Sequence, residues 1–304
     1  MSRLARSPGR FRFKTAAIGL TALLSPGFFT AQETKKAADH PPAPPSFSWR
    51  AAPKPGFQAG ETILYVIKYG IISAGYATLE VRDIEPVGDR QGYHILSRAR
   101  TNKPMDVIFK VRDKNESWLD VKSLCSLRFH QLIREGLYRR EARTNYDHAQ
   151  GRFTYWRKRK GKEFQEEGGI PAFVQDVLSS LYYVRTLPLE VGKSYELDAN
   201  SGAKTWPLKV NVKKIEKIRV PAGRFECLHV EPILAGEGIF QHSGRLEVWL
   251  TNDERRIPVL LRSRVLVGAF DAEMKEYSGG EEGKGLDEKM WGGPDSDSSN
   301  ELVE

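Results

Sequence analysis

The ionisable and nucleophilic side chains are scattered, and few have the spacing that a reaction requires. The histidines form no HxH or HExxH pair, the spacings that place two imidazoles on one metal ion. No GxSxG turn is present to expose a nucleophilic serine. Cys227 and His229 fall on one face of a strand-like run, but no further ligand set lies nearby in the sequence. We therefore predict no metal site, no cofactor and no nucleophilic residue.

Two carboxylates remain as candidates for acid–base chemistry. Asp113 and Asp253 would suit the hydrolysis of a glycosidic bond if the fold held them about 5–9.5 Å apart in an open cleft. Nothing in their spacing requires this, and surface positions are the default for acids. We predict no catalytic residue and keep a glycan-acting enzyme as the least favoured hypothesis.

Four side chains are candidates for binding a ligand. Asp176 and Arg185 lie nine residues apart on a predicted helix, so they point to roughly opposite sides near its two ends. Tyr182 on the same helix and Trp249 on a strand add aromatic surface of the kind that lines small-molecule pockets. Each also has a structural interpretation, as a helix cap, an anchor to a sheet or a core residue.

The two cysteines allow two interpretations. In an oxidising compartment Cys125 and Cys227 would form a disulfide that closes a loop of about 100 residues. The alternative, which we favour, is two buried free thiols that pack as small apolar side chains.

The elements that would hold these residues are mainly strands. Apolar and polar residues alternate over 246–250 and again over 259–267, which predicts a long antiparallel hairpin with one buried face. The alternation recurs back to Gly60, without a repeat of fixed period, and one amphipathic helix is predicted over 173–187. We predict a mainly β fold, a curved antiparallel sheet or partly closed β-barrel with one covering α-helix.

The N-terminus has the features of a targeting segment. Five basic residues precede an apolar run over 16–24, which is too short to span a bilayer and fits a signal peptide. We predict a signal peptide over 1–31 and a periplasmic location, with no transmembrane span after cleavage. An uncleaved N-terminal anchor is the alternative.

Three further segments are predicted along the chain. Residues 32–56 form a linker rich in Pro and Ala, 57–277 form one β domain, and 278–304 form a disordered, acidic tail rich in Gly and Ser. The net charge is +8, but part of it lies in the N-terminal segment and the rest is spread along strands. No nucleic-acid partner is therefore predicted.

Six short motifs follow one another along 57–277. They are GETILY at 60–65, ISAGYA at 72–77, FKVRD at 109–113, QDVLSSLYYVR at 175–185, VPAGRF at 220–225 and VWLTND at 248–253. In this order and spacing the chain resembles the DUF3108 family. The resemblance implies an exported β-rich domain without an assigned activity, and its layout is similar to curved-sheet lipoprotein carriers of the periplasm.

Three functions remain open at this point. The first is non-catalytic binding of an apolar or amphipathic envelope component, a lipid or glycan, with helix 173–187 as a lid. The second is a structural or assembly role in which an exposed sheet edge pairs with an envelope protein. The third is the glycan-acting enzyme that would use Asp113 and Asp253.

Overall fold

The fold is one antiparallel sheet of 14 strands, seen in a computed structural model that describes residues 47–234, 245–264 and 268–280. The predicted signal peptide, most of the linker and most of the tail lie outside the described residues. The strands are β1 Glu61–Tyr69, β2 Ile72–Val87, β3 Arg90–Thr101, β4 Arg112–Asp120, β5 Ser126–Glu135, β6 Tyr138–Asp147, β7 Arg152–Arg159, β8 Lys162–Gly169, β9 Ser194–Ser201, β10 Lys204–Val220, β11 Gly223–Leu234, β12 Arg245–Thr251, β13 Pro258–Arg264 and β14 Ala269–Gly279.

Every pair of successive strands is hydrogen-bonded except β8 and β9, and β1 also pairs with β14, so the sheet order runs from β8 through β1 and β14 to β9. The sheet is strongly rolled, which brings β6 close to β9. There Tyr146 Oη on β6 donates a hydrogen bond of 3.1 Å to Asn200 Oδ1 on β9. These two strands are far apart in the sheet order, and β8 and β9 remain unpaired with each other. The predicted curved, mainly β fold is confirmed, and the barrel is not closed.

Two helices lie among the described residues, α1 at Lys103–Asp106 and α2 at Val177–Val184. The predicted helix over 173–187 is therefore real but shorter. Phe173 has a φ of 62°, which no helix accepts, and Asp176 caps the helix N-terminus. Arg185 is the C-cap residue. The Asp176 cap, rather than the apolar spacing, sets the start of the helix.

The strand directions divide the turns into two groups. Helix α2 and residues 47–60 lie at the end where β1 begins, which we call the helix end. There the Phe57 ring packs edge-on against Tyr182 at 5.0 Å. The turns that follow β1, β3, β5, β7 and β9 lie at the opposite end, which we call the far end.

Strands β2–β5 have a structural counterpart in β10–β13. A bulge in β2 lies opposite His94, and a bulge in β10 lies opposite His229. Each histidine stands across from a tryptophan on the next strand, Trp118 or Trp249, and the paired rings stack at 4.7 and 4.4 Å. A second bulge follows each tryptophan.

The turns that follow these tryptophans also match. Leu124 after β4 and Arg256 after β12 both have left-handed backbone, with φ of 46° and 48°. A carbonyl at or beside this position accepts a hydrogen bond from an arginine, Leu124 O from Arg50 at 3.2 Å and Arg255 O from Arg185 at 3.0 Å. The sheet therefore contains two versions of one four-strand unit, although no repeat of fixed period is visible in the sequence.

Candidate functional site

Asp176 is a fully buried cap of α2. Its Oδ1 accepts hydrogen bonds from the backbone N–H groups of Leu178 at 2.8 Å and Ser179 at 2.9 Å. Its Oδ2 accepts from the Ser117 and Ser126 hydroxyls at 2.6 and 2.5 Å. Burial raises the pKa of Asp176, and these hydrogen bonds partly oppose that rise. Because Ser117 lies on β4 and Ser126 on β5, this carboxyl joins α2 to both strands.

Arg185 anchors the other end of α2 to β1. Its Nη1 and Nη2 lie 2.7 and 2.8 Å from the two carboxylate oxygens of Glu61, and both side chains are buried. Nη2 also donates to Arg255 O, and the guanidinium lies over the rings of Phe57 and Tyr182 at 5.2 and 5.0 Å. These contacts leave little of Arg185 to meet a ligand.

The four predicted ligand-binding residues do not form one site. Asp176, Tyr182 and Arg185 lie at the helix end. There the Phe57 ring packs against Tyr182 of α2, and both rings are buried. Trp249 lies on the opposite face of the sheet and donates from Nε1 to a glutamate on β10 at 2.8 Å. Helix α2 is thus packed into the core through these side chains, and its role as a lid stays a prediction.

The two cysteines are not bonded to each other, and the two predicted carboxylates lie at opposite ends of the sheet. Cys125 and Cys227 are both buried with free thiols in this structure. Asp113 is the second residue of β4, near the far end, and its Oδ1 accepts from Arg134 N at 2.6 Å. Asp253 lies in the β12–β13 turn at the helix end and pairs with Arg255 at 2.7 Å. The structure does not bring Asp113 and Asp253 together.

Sequence reasoning missed a polar set inside the rolled sheet near the far end. Asn115 lies two residues before Ser117, which bonds to the cap of α2, so both face the inside. Gln131 Nε2 donates to Asn115 Oδ1 at 2.8 Å, and Arg140 Nη2 donates to Gln131 Oε1. With Glu135, which follows on the same face of β5, we call these residues the inner polar cluster: Asn115, Gln131, Glu135 and Arg140.

One donor of the inner polar cluster lacks a hydrogen bond. Arg140 Nε is buried without a partner among the described residues. Burial raises the pKa of Glu135, while a hydrogen bond with Asp113 and the charge of Arg140 oppose that rise. A buried unpaired polar atom costs about 1–3 kcal/mol, so the N–H at Arg140 Nε is a donor with capacity for one further partner.

The wall beside the inner polar cluster has short and aromatic side chains. Ala99 and Ala142 are buried on the inner face of β3 and β6. On β7 and β8 the Arg157 guanidinium lies 5.1 Å from the centre of the Phe164 ring, and Tyr155 lies 6.3 Å from that ring. The concave face near the far end therefore combines arginines with apolar and aromatic surface.

Metal and membrane features were sought over the same described ranges. These ranges contain no group of three or more His, Cys, Asp or Glu side chains that could hold a metal ion. No helix within them has the length and apolar run needed to span a bilayer.

A family model matches most of the folded region. The model described as "Protein of unknown function (DUF3108)" matches residues 64–275, in agreement with the motifs found in the sequence. None of the curated proteins gives a significant match to the chain.

A solved structure of a distant protein shares the fold. A beta-barrel-like protein of the domain of unknown function DUF1849 from Brucella abortus has a TM-score of 0.50 at 11% identity, over 75% of this chain and 99% of that one. A "putative lipoprotein" from Parabacteroides distasonis has a TM-score of 0.34 at 10% identity, over 75% of this chain and 100% of that one. The first match shows that the fold is shared, and at 11% identity it shows the fold alone.

Proposed function

The chain belongs to the DUF3108 family, and for this member we propose a non-catalytic role, the binding of an anionic amphipathic component of the bacterial envelope. The ligand enters the rolled sheet from the far end and places its acidic group on the inner polar cluster. The observation that carries the proposal is the buried Arg140 Nε, which has no hydrogen-bond partner among the described residues.

The chemistry of the cluster favours an oxyanion. A guanidinium offers planar, directed N–H donors that suit phosphate and carboxylate oxygens. Burial raises the pKa of Glu135, which lies in the same cluster. The apolar part of the ligand would lie along the alanines and on the exposed side of Phe164.

The proposed location is the periplasm. The basic and apolar N-terminal segment supports export to the periplasm. Amphipathic lipids and glycans with phosphate or carboxylate groups are present in that compartment.

The test is native mass spectrometry of the mature protein purified from its own periplasm, followed by solvent extraction. We expect a bound mass of lipid or glycolipid size on the wild type, and its loss from Arg140→Met. The matched control is Arg143→Met, which changes an exposed arginine on the opposite face of the same strand. A clean unliganded mass for the wild type, or equal loss in both variants, would refute the proposal.

A second candidate function rests on the edge strand β8. This strand pairs only with β7, and its residues 162–165 are exposed, so its outer backbone groups could add a partner strand. The other edge, β9, is partly covered, because Gln175 N donates to Asp198 O at 2.9 Å and Asn200 N donates to Gln175 O at 2.7 Å. A stoichiometric envelope protein crosslinked to β8, with no extractable ligand, would favour this role.

A further inference from the structure

The most exposed large apolar side chains of the described residues share one end of the molecule. Ile71, Val107, Ile108 and Leu137 are each at least 76% exposed, whereas every other large apolar side chain in the described ranges is at most 56% exposed. They lie on the turns that follow β1, β3 and β5, which are neighbours at the far end. Isolated exposed apolar residues are ordinary, but four on adjoining turns form a patch of the kind that marks an interaction surface.

Hydrogen bonds between these turns hold the patch as one unit. Asn102 caps α1 and donates from Nδ2 to Ser73 O at 2.7 Å, which ties the β3–β4 connection to the β1–β2 turn. Gly136 N donates to Lys110 O at 2.7 Å, which ties the same connection to the β5–β6 turn. The apolar side chains therefore project from a fixed platform rather than from three independent loops.

Charge distinguishes the two ends of the sheet. The five far-end turns that are fully described, each counted from the last residue of one strand to the first of the next, hold seven basic and two acidic residues. The six turns at the helix end hold seven of each when counted in the same way. The far-end basic residues are Lys103, Lys110, Arg112, Arg159, Lys160, Lys162 and Lys204.

We propose that the far end is a membrane-docking surface for an anionic phospholipid bilayer. Ile71, Val107, Ile108 and Leu137 enter the boundary between headgroups and acyl chains, and the surrounding lysines and arginines contact lipid phosphates. Apolar insertion together with electrostatic attraction is the combination that holds a peripheral protein on an anionic membrane. The excess of basic residues on the far-end turns matches the negative charge of such a bilayer. Docking through these turns does not depend on ligand binding by the inner polar cluster.

The test is flotation of the protein with lipid vesicles. Residues 47–304 are used, because they contain every described strand and helix and omit the apolar run 16–24, which would itself enter a bilayer. We expect binding to vesicles of phosphatidylglycerol and phosphatidylethanolamine, weaker binding at high salt, and little binding to phosphatidylcholine. The triple variant Ile71→Ser/Ile108→Ser/Leu137→Ser should bind at least about tenfold more weakly.

The matched control is Ile84→Ser/Val191→Ser/Ile215→Ser, which removes three exposed apolar side chains away from the far-end turns. We expect its vesicle affinity to stay within about twofold of the wild type, with urea midpoints showing that both variants are folded. The proposal is overturned if the wild type ignores anionic vesicles, or if the control loses as much affinity as the far-end variant.

Discussion

The guanidinium of Arg185 and the carboxylate of Glu61 face each other in a two-bond ion pair that joins the end of α2 to the first residue of β1. The two bonds are 2.7 and 2.8 Å long, and the partners stand 124 positions apart in the chain. Because both side chains are buried, neither partner can be hydrated if the other is removed. This pair fixes the helix end of the rolled sheet.

Replacing one partner should therefore destabilise the fold strongly. Arg185→Met leaves the Glu61 carboxylate buried and unpaired, and we expect the free energy of unfolding to fall by about 3–5 kcal/mol. Urea unfolding followed by circular dichroism measures this. Lys193→Met, which removes an exposed partner of Glu190, should change the midpoint little. Equal stabilities for Arg185→Met and the wild type would contradict the role assigned to the pair.

Glu116 should contribute to acid sensitivity. Its carboxylate lies 3.1 Å from His94 Nε2 and 3.2 Å from His130 Nδ1. Burial acts to raise the pKa of Glu116, but hydrogen bonds from His130 and His94, with the charge of Lys114, hold the pKa well below its usual 4.5. A lowered folded-state pKa stabilises the fold above the unfolded value, and that contribution is lost as the pH falls below about 4.5.

The matching measurement is urea unfolding of the wild type and Glu116→Gln at several values between about pH 6 and pH 3. The wild type should lose stability more steeply on acidification than the variant, which lacks this ionisation. Parallel curves for the two proteins would show that Glu116 is not a source of the acid sensitivity.

The two thiols should be unreactive in the native state. Burial raises the pKa of Cys125 and of Cys227 to about 12, so the nucleophilic thiolate is scarce and shielded at neutral pH. A thiol reagent at about pH 8 should label neither cysteine until denaturant is added, and then both. Fewer than two labelled thiols in denaturant without a reductant would reveal a disulfide instead.

The β7–β8 turn should accept a stabilising substitution. Lys160 and Gly161 have φ of 50° and 70°, a pair of left-handed residues that favours Asn followed by Gly. Lys160→Asn should raise the free energy of unfolding by about 0.5–1 kcal/mol, because asparagine tolerates this backbone better than lysine. Lys162→Asn, one residue past the turn at the start of β8, should give no gain when measured by the same urea unfolding.

The strands were predictable where one face is apolar throughout. The predicted hairpin over 246–267 corresponds to β12 and β13, which pair from Arg245 with Arg264 up to the turn. The helix was predicted too long because apolar spacing does not register a cap. Its true start depends on Asp176, whose partners include serines about 50 and 59 positions earlier in the chain.

The candidate site was not predictable in the same way. Asn115 and Gln131 occupy inward-facing positions, yet a polar residue in a strand is ordinarily assigned to the solvent face. Only the register between β4 and β5 shows that the two side chains meet inside the roll. The unpartnered Arg140 Nε depends on that same pairing, so no pattern within a single strand could indicate it.

The two matching four-strand units differ on their inner faces. Shared bulges, stacked His–Trp pairs and left-handed turn residues mark equivalent positions in the two units. Where the first unit has Asn115 and Ser117 before its tryptophan, the second has Leu246 and Val248 at the same distance before its own. The same backbone pattern therefore presents polar side chains to the inside of the roll in one unit and apolar side chains in the other.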